Sequence, residues 1–233
     1  MSGVAARLQS VRDRMRRACD SSGRDPRSVR LVAVSKKHAL ASILEAAEAG
    51  QVDFGENYAQ ELDQKAAEAR AASLCWHHIG RVQSSTAKLV AARADWVHGV
   101  QDEKGGAALS KHAGALGRTL HVLVAVNFGD EAQKSGVAPS QAAELIATLR
   151  KLPALRVQGL MTLPPPALDI AWRHFEALYA LREQLGATEL PELSMGMSQD
   201  MELAIASGST MVRVGTAIFG ERELTGGRRV KTL

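Results

Sequence analysis

Eight short runs of β-forming residues alternate with Ala-rich amphipathic stretches along almost the entire chain, and few folds accommodate such a beat. The runs lie at 29–35, 52–56, 77–81, 96–100, 121–127, 157–162, 192–195 and 211–215. The stretches between them fall at about 39–49, 58–72, 84–93, 103–116, 139–151, 167–186 and 199–207. Repetition of strand and helix predicts parallel pairing with right-handed crossovers. The runs lack a clean polar face, as strands covered on both sides do. Pro139 and Ser140 open one helix, and Gly50, Gly186 and Gly208 close others.

Two α/β architectures satisfy this pattern, a closed (β/α)8 barrel of the TIM type and an open doubly wound sheet. Eight strands in 233 residues favour the barrel. The open sheet loses ground because no G-x-G-x-x-G follows the first strand and no P-loop pattern occurs. Ahead of the first strand, Val4, Leu8, Val11, Met15 and Ala18 make a helical stripe that the cluster at 21–26 ends, so an extra N-terminal helix is expected. The expectation is a single-domain barrel over residues 1–233.

Composition matters mainly for what it excludes. The formal charge of +4 and the pI near 9.3 would suit nucleic acid if the excess lay along one face with aromatics among it. Instead, eight Arg oppose three Asp in residues 1–30, four cations oppose two anions in 221–233, and the body between is acidic. Aromatics are only 4%, so both ends read as solvated surface and no nucleic-acid partner is expected. No membrane partner is expected, because no run approaches the roughly 18 apolar residues of a span. The arginine-rich start does not read as a signal peptide. Two cysteines, Cys19 and Cys75, form no disulfide framework and point to a reducing cytoplasm.

In such a barrel the chemistry gathers where the strands end. The first strand runs into Ser35, Lys36 and Lys37. Burial at a strand end favours the free amine of a lysine, the form that attacks aldehydes and ketones; alternatively, the side chain snorkels to the rim. The last two strands end in 194–200, with Ser198, and in Arg213, Gly215 and Thr216. Loops after these two strands commonly bind phosphate in barrel enzymes, although Ser198 could equally cap the helix behind it. An anion cup opposite an amine fits a phosphorylated carbonyl ligand, of which pyridoxal 5′-phosphate is the obvious one. Cys75, His77, His78 and His98 are too poorly spaced for zinc, since neighbours on a strand point to opposite faces, and no metal is expected.

The chain resembles the pyridoxal phosphate homeostasis proteins, a family related to the barrel domain of alanine racemase. The resemblance rests on Leu31-Val32-Ala33-Val34-Ser35-Lys36, Phe54-Gly55-Glu56-Asn57-Tyr58, Trp76-His77-His78-Ile79-Gly80, Lys134-Ser135-Gly136-Val137, Gly159-Leu160-Met161-Thr162, Leu193-Ser194-Met195-Gly196-Met197-Ser198 and the run from Met211 to Gly220. His78 stands where an aromatic or aliphatic residue is common in that family. The resemblance implies that Lys36 holds the cofactor as an internal aldimine. It implies phosphate binding by Ser198 and the Gly215–Thr216 backbone, and Arg213 at the pyridine nitrogen. Asn57 at the cofactor ring (or in the turn), Met161 in the pocket wall and His77 in a supporting hydrogen bond complete the expected cofactor set. Lys134 is a further cation that could serve a second phosphate.

An arginine at the pyridine nitrogen keeps it unprotonated and makes the ring a poor electron sink. Racemisation would also need a second base, supplied in alanine racemases by a C-terminal domain that is not expected here; His77, Tyr58 and Lys37 are the candidates inside the barrel. The expected function is therefore to hold pyridoxal phosphate and deliver it, with apo-enzymes that need the cofactor as partners, rather than to catalyse. A low-activity amino-acid racemase is the alternative. A monomer is favoured over a homodimer.

Overall fold

A computed structural model describes residues 3–69, 72–129 and 136–221. Eight parallel strands close into a barrel in sequence order: β1 Arg30–Val34, β2 Asp53–Glu56, β3 Cys75–His78, β4 Trp96–Val100, β5 Leu120–Ala125, β6 Leu155–Met161, β7 Glu192–Ser194 and β8 Met211–Val214. β8 returns to β1, with Leu31 paired to Val212 and Val32 to Arg213. Around the barrel run α1 Val4–Ser21, α2 Leu40–Glu48, α3 Ala59–Glu68, α4 Ala87–Arg93, α5 Glu103–Ala115, α6 Ala142–Arg150, α7 Leu168–Leu185, α8 Met201–Ala206 and α9 Thr216–Phe219. The expected (β/α)8 architecture with an N-terminal helix is the one observed.

The period of two along each strand divides the core in two. Ala33, Phe54, Trp76, Val97, Val122, Leu160, Leu193 and Val212 face outward and pack with Leu8, Ile43, Leu62, Leu109, Leu149 and Phe175 of the helices. A separate, smaller cluster of Trp96, Leu123, Ala125, Met161 and Met211 fills part of the lumen. Polar side chains fill much of the rest. His98 of β4 bonds to Ser194 of β7 at 2.8 Å, and because those strands are not neighbours the bond crosses the lumen.

The N-terminal helix has a structural task. Each of β1 to β7 is followed by a covering helix, but β8 is followed only by the single turn of α9. α1 takes the eighth place, packing against α2, α8 and α9 through Val4, Leu8, Val11, Met15, Ala18 and Cys19.

Its arginines correct the expectation of a merely solvated end. Arg12 donates to the carbonyls of Ala49 and Gly50 at 2.8 Å, just beyond α2. Arg24 donates to Ile205 O at 2.6 Å and Ser209 O at 2.8 Å at the end of α8, and Arg7 to Ile218 O in α9 at 2.6 Å. Helix C-termini leave carbonyls without helical partners and carry partial negative charge, so the guanidinium groups of Arg7 and Arg12 in α1, and of Arg24 just after it, stitch the helix to its neighbours.

The third strand is shifted from 77–81 to Cys75–His78. Beyond it the chain stays close to the second strand's end, where a Cβ on Gly80 would come within 2.2 Å of Asn57 O. At the other ends the differences run from none, as at β4, to four residues, at the end of α3. α9 has no counterpart among the expected helices, being too short to show a hydrophobic period.

Candidate functional site

A cavity of about 550 Å³ opens at the C-terminal ends of the strands. That volume lies within the roughly 300–1,000 Å³ span of small-molecule sites. Seven of the eight expected site residues line it: Lys36, Asn57, Met161, Ser198, Arg213, Gly215 and Thr216. Lys36 follows β1, Asn57 follows β2, Met161 ends β6, Arg213 belongs to β8, and Gly215 and Thr216 lead into α9. Lys36 and the residues expected to bind phosphate therefore share one chamber. His77 does not line it. Its imidazole is wholly buried in the lumen, 2.9 Å from Asp53 Oδ1 and 2.9 Å from His98 Nε2. Lys134 lies outside the described residues, as do the basic residues after Glu221.

Lys36 is partly buried, and the backbone on both sides of it is held. Lys65 Nζ donates to Ser35 O at 2.7 Å, on the residue before it. The Lys37 amide, on the residue after it, donates to Glu61 Oε1 at 2.5 Å. Lys37 itself has φ of 63°, a left-handed conformation uncommon for a side-chain-bearing residue. The Lys65 ammonium also donates to Glu56 Oε1 at 2.8 Å and Glu61 Oε1 at 2.7 Å, so its three protons have three acceptors. Ser35 Oγ adds a fourth link, donating to Glu56 Oε1 at 2.6 Å. Burial pushes the Glu56 carboxyl up, with the Lys65 charge opposing.

On the far wall, the loop between β7 and α8 is shaped by Gly196 and Asp200. Gly196 has φ of 94°, and a Cβ there would meet the Cβ of Ala204 at 2.5 Å. Asp200 Oδ1 accepts from the Met197 amide at 2.5 Å. Arg14 of α1 reaches the same loop, donating to Ser198 O at 3.0 Å while pairing with Glu202 at 2.7 Å. Helix α8 begins at Met201 with Asp200 before it, so Ser198 is not its cap. Gly215 presses against β1, where a Cβ would lie 3.1 Å from Val34 O. The first turn of α9 leaves backbone N–H groups without helical partners beside this loop.

Arg213 is 5% exposed, and its guanidinium donates to Ser194 Oγ at 2.5 Å and to Thr162 O at 3.0 Å. Among the described residues no carboxylate lies within ion-pair distance of it. Burial pushes its pKa down to about 10, with the Asp200 charge opposing. A desolvated cation without a counter-ion is costly unless an acceptor faces it. Arg213 lines the cavity, so a bound group with an acceptor atom or negative charge is the partner it fits.

Some contributing residues escaped sequence reasoning. Glu56, Glu61 and Lys65 act on Lys36 from outside the cavity, and only the i, i+4 spacing of Glu61 and Lys65 hinted at a pair. His38 lines the cavity stacked on Phe219, with ring centroids 5.1 Å apart. Asp53, Cys75 and His77 bring ligand-type atoms within 4.8 Å of one another. There Arg30 already lies 3.9 Å from Asp53 Oδ1, and burial with the nearby Asp53 charge pushes the Cys75 thiol up to about 12. The group is a hydrogen-bonded cluster beside a fixed cation.

Comparison with known proteins places this geometry in context. The family model described as alanine racemase, N-terminal domain, matches residues 6–223. The chain is 44% identical over 225 residues to the pyridoxal phosphate homeostasis protein of Pseudomonas aeruginosa, covering 96% of this chain and 97% of that one. It is 41% identical over 231 residues to the protein of the same name from Escherichia coli, covering 96% and 98%. The structure of PipY from Synechococcus elongatus, solved with PLP bound, superposes with a TM-score of 0.80 at 35% identity, covering 93% of this chain and 100% of that one. Among the described residues no helix is long and apolar enough to cross a membrane.

Proposed function

Since this chain belongs to the pyridoxal phosphate homeostasis protein family, we propose that it binds pyridoxal 5′-phosphate in the cavity, holds it covalently through Lys36 and releases it to apo-enzymes. The observation that carries this reading is the placement of Lys36, Arg213, Ser198, Gly215 and Thr216 around one chamber of about 550 Å³. The name shared by the relatives and the PLP in the PipY structure support it.

Each residue has a task that its surroundings fit. Lys36 supplies the amine, held in place by the Lys65 and Glu61 bonds to its neighbours. Ser198, Gly215 and Thr216 receive the phosphate, with Gly215 admitting close backbone approach and Ser198 and Thr216 adding hydroxyl donors. Arg213 donates to the ring nitrogen, which keeps a proton off that atom. Asn57 and Met161 flank the ring. When bound, the cofactor supplies an electrophilic carbon and an aromatic ring able to delocalise negative charge.

Holding rather than turnover is supported by where the second-base candidates named from the sequence lie, the imidazole on the cavity wall being instead His38, stacked on Phe219. Of the three candidates for a second base, His77 lies in the lumen, and neither the half-exposed Tyr58 nor the exposed Lys37 lines the cavity. The mouth, rimmed by Leu163 and Leu168, which are 57% and 58% exposed, admits water or an amine for release. Titration with pyridoxal phosphate, followed by absorption, tests the reading. The intact chain should bind one equivalent with a new long-wavelength band, and Lys36→Ala should lose that band. An unchanged spectrum on adding the cofactor to the intact chain refutes the proposal.

A further inference from the structure

Four hydrogen bonds link Arg213 to the opposite end of the lumen. From Arg213 Nη1 they run to Ser194 Oγ at 2.5 Å, from Ser194 Oγ to His98 Nδ1 at 2.8 Å, from His98 Nε2 to His77 Nδ1 at 2.9 Å, and from His77 Nε2 to Asp53 Oδ1 at 2.9 Å. Ser194, His77 and His98 are wholly buried.

The two ends of the chain together settle its direction, since arginine can only donate and a carboxylate can only accept. Arginine can only donate, so Ser194 Oγ accepts from it. The serine hydroxyl then has one proton to give, and among the described residues the acceptor in reach is His98 Nδ1. A neutral His98 that accepts on Nδ1 carries its proton on Nε2 and donates to His77 Nδ1. His77 in turn carries its proton on Nε2 and donates it to the Asp53 carboxylate. Burial pushes both imidazoles toward the neutral form, and the Asp53 carboxyl is held low by its bond to His77 despite burial. Read from the other end the order is the same: the Asp53 carboxylate can only accept, so a neutral His77 donates from Nε2 and accepts on Nδ1, a neutral His98 then donates from Nε2 and accepts on Nδ1, and Ser194 donates to it.

We propose that Ser194, His98 and His77 are positioning residues for Arg213, forming a one-way hydrogen-bond chain that anchors on Asp53 and fixes which guanidinium edge faces the cavity. The part of this inference that concerns ligand affinity rests on the reading of Arg213 as the partner of the cofactor's ring nitrogen. An arginine with neutral acceptors alone could rotate; one whose acceptor is itself oriented by two locked imidazoles has its remaining donors aimed. The lumen polarity, unusual for a barrel whose interior is ordinarily packed with branched aliphatics, thereby has a function.

Two measurements test this. Nitrogen NMR of histidine-labelled protein without cofactor should find His77 and His98 both neutral and both protonated on Nε2; a proton on Nδ1 of either ring overturns the chain. Titration of Ser194→Ala with pyridoxal phosphate should show affinity roughly tenfold weaker, the size of one hydrogen bond to a charged group, and a displaced absorption maximum. Ser194→Thr, which keeps the hydroxyl, should recover both. If Ser194→Ala binds with unchanged affinity and spectrum and only its melting temperature falls, the role is structural and the proposal fails. An intact chain that takes up no cofactor would refute the function proposed above, while the tautomers would still decide this inference.

Discussion

The ammonium of Lys65 lies 2.8 Å from Glu56 Oε1, in a pocket where the Glu56 side chain is 0% exposed and that of Lys65 9%. Such a pair contributes less to stability than its geometry suggests, because desolvation offsets the attraction. Its value here is placement, since the same ammonium holds the carbonyl that precedes Lys36. Removing one partner is different, because it strands a buried charge. Lys65→Met should lower unfolding free energy by about 3 kcal/mol in urea denaturation. Combining it with Glu56→Gln should return part of that loss, and both variants should bind cofactor less well than the intact chain. A Lys65→Met variant of unaltered stability and affinity would show that the bracket around Lys36 is idle.

His78 gives a pH dependence with a definite sign. Its ring faces outward from β3, is 2% exposed, and among the described residues has no hydrogen-bond partner of normal geometry. Burial pushes its pKa down from 6.5 to about 4. Between those values the unfolded chain binds a proton that the folded chain refuses, so stability falls as pH falls through the window. The loss from this one group approaches about 3 kcal/mol by pH 4. His78→Phe should raise stability at neutral pH and flatten the slope between pH 6.5 and 4. Parallel stability–pH curves for the two proteins would contradict this.

Gly196 is required by both its backbone and its neighbour. Gly196→Ala forces a Cβ into the left-handed region against Ala204, and should destabilise the fold by about 2 kcal/mol while weakening phosphate-dependent binding. Gly215→Ala, with its nearest contact at 3.1 Å and φ of −114°, should be the milder change. Thermal melts of both variants with and without inorganic phosphate measure the difference, and equal losses would mean that the loop relaxes around either side chain.

The distinction between carrier and racemase is a rate. Incubation with alanine or serine in deuterated water should show Cα exchange far below the order of 1 s⁻¹ that marks the low end of ordinary turnover. Exchange at or above that rate would establish a racemase and require a base that the present assignment lacks, with His38 at the cavity wall the first to mutate.

The barrel was legible because its signal is periodic. Strand runs such as 96–100 and the stripe from Val4 to Ala18 repeat with the spacing of their burial, and both elements form where that spacing puts them. Site residues at strand ends were legible for the same reason, since a barrel fixes which face the ends share. His77, expected in a supporting hydrogen bond, makes two, but it lies below the cavity rather than on its wall, because parity alone sends it into the lumen without saying how deep. Cavity-lining residues occupy the upper layer, with Asn57 and Met161, whereas Gly55 pairs with His77 one layer below. The arginines of α1 were read as solvent-facing because helical periodicity identifies the apolar stripe and says nothing about carbonyls presented by distant helix ends. Links such as Arg14 to Ser198, 184 residues apart, have no local signature.

The most direct test of the account is to reduce the cofactor-loaded protein with borohydride and map the adduct by mass spectrometry of its peptides. The account predicts a single stoichiometric pyridoxyl mark on Lys36. A mark on Lys37 or Lys134 in its place, or loaded protein that yields no covalent mark at all, would contradict it.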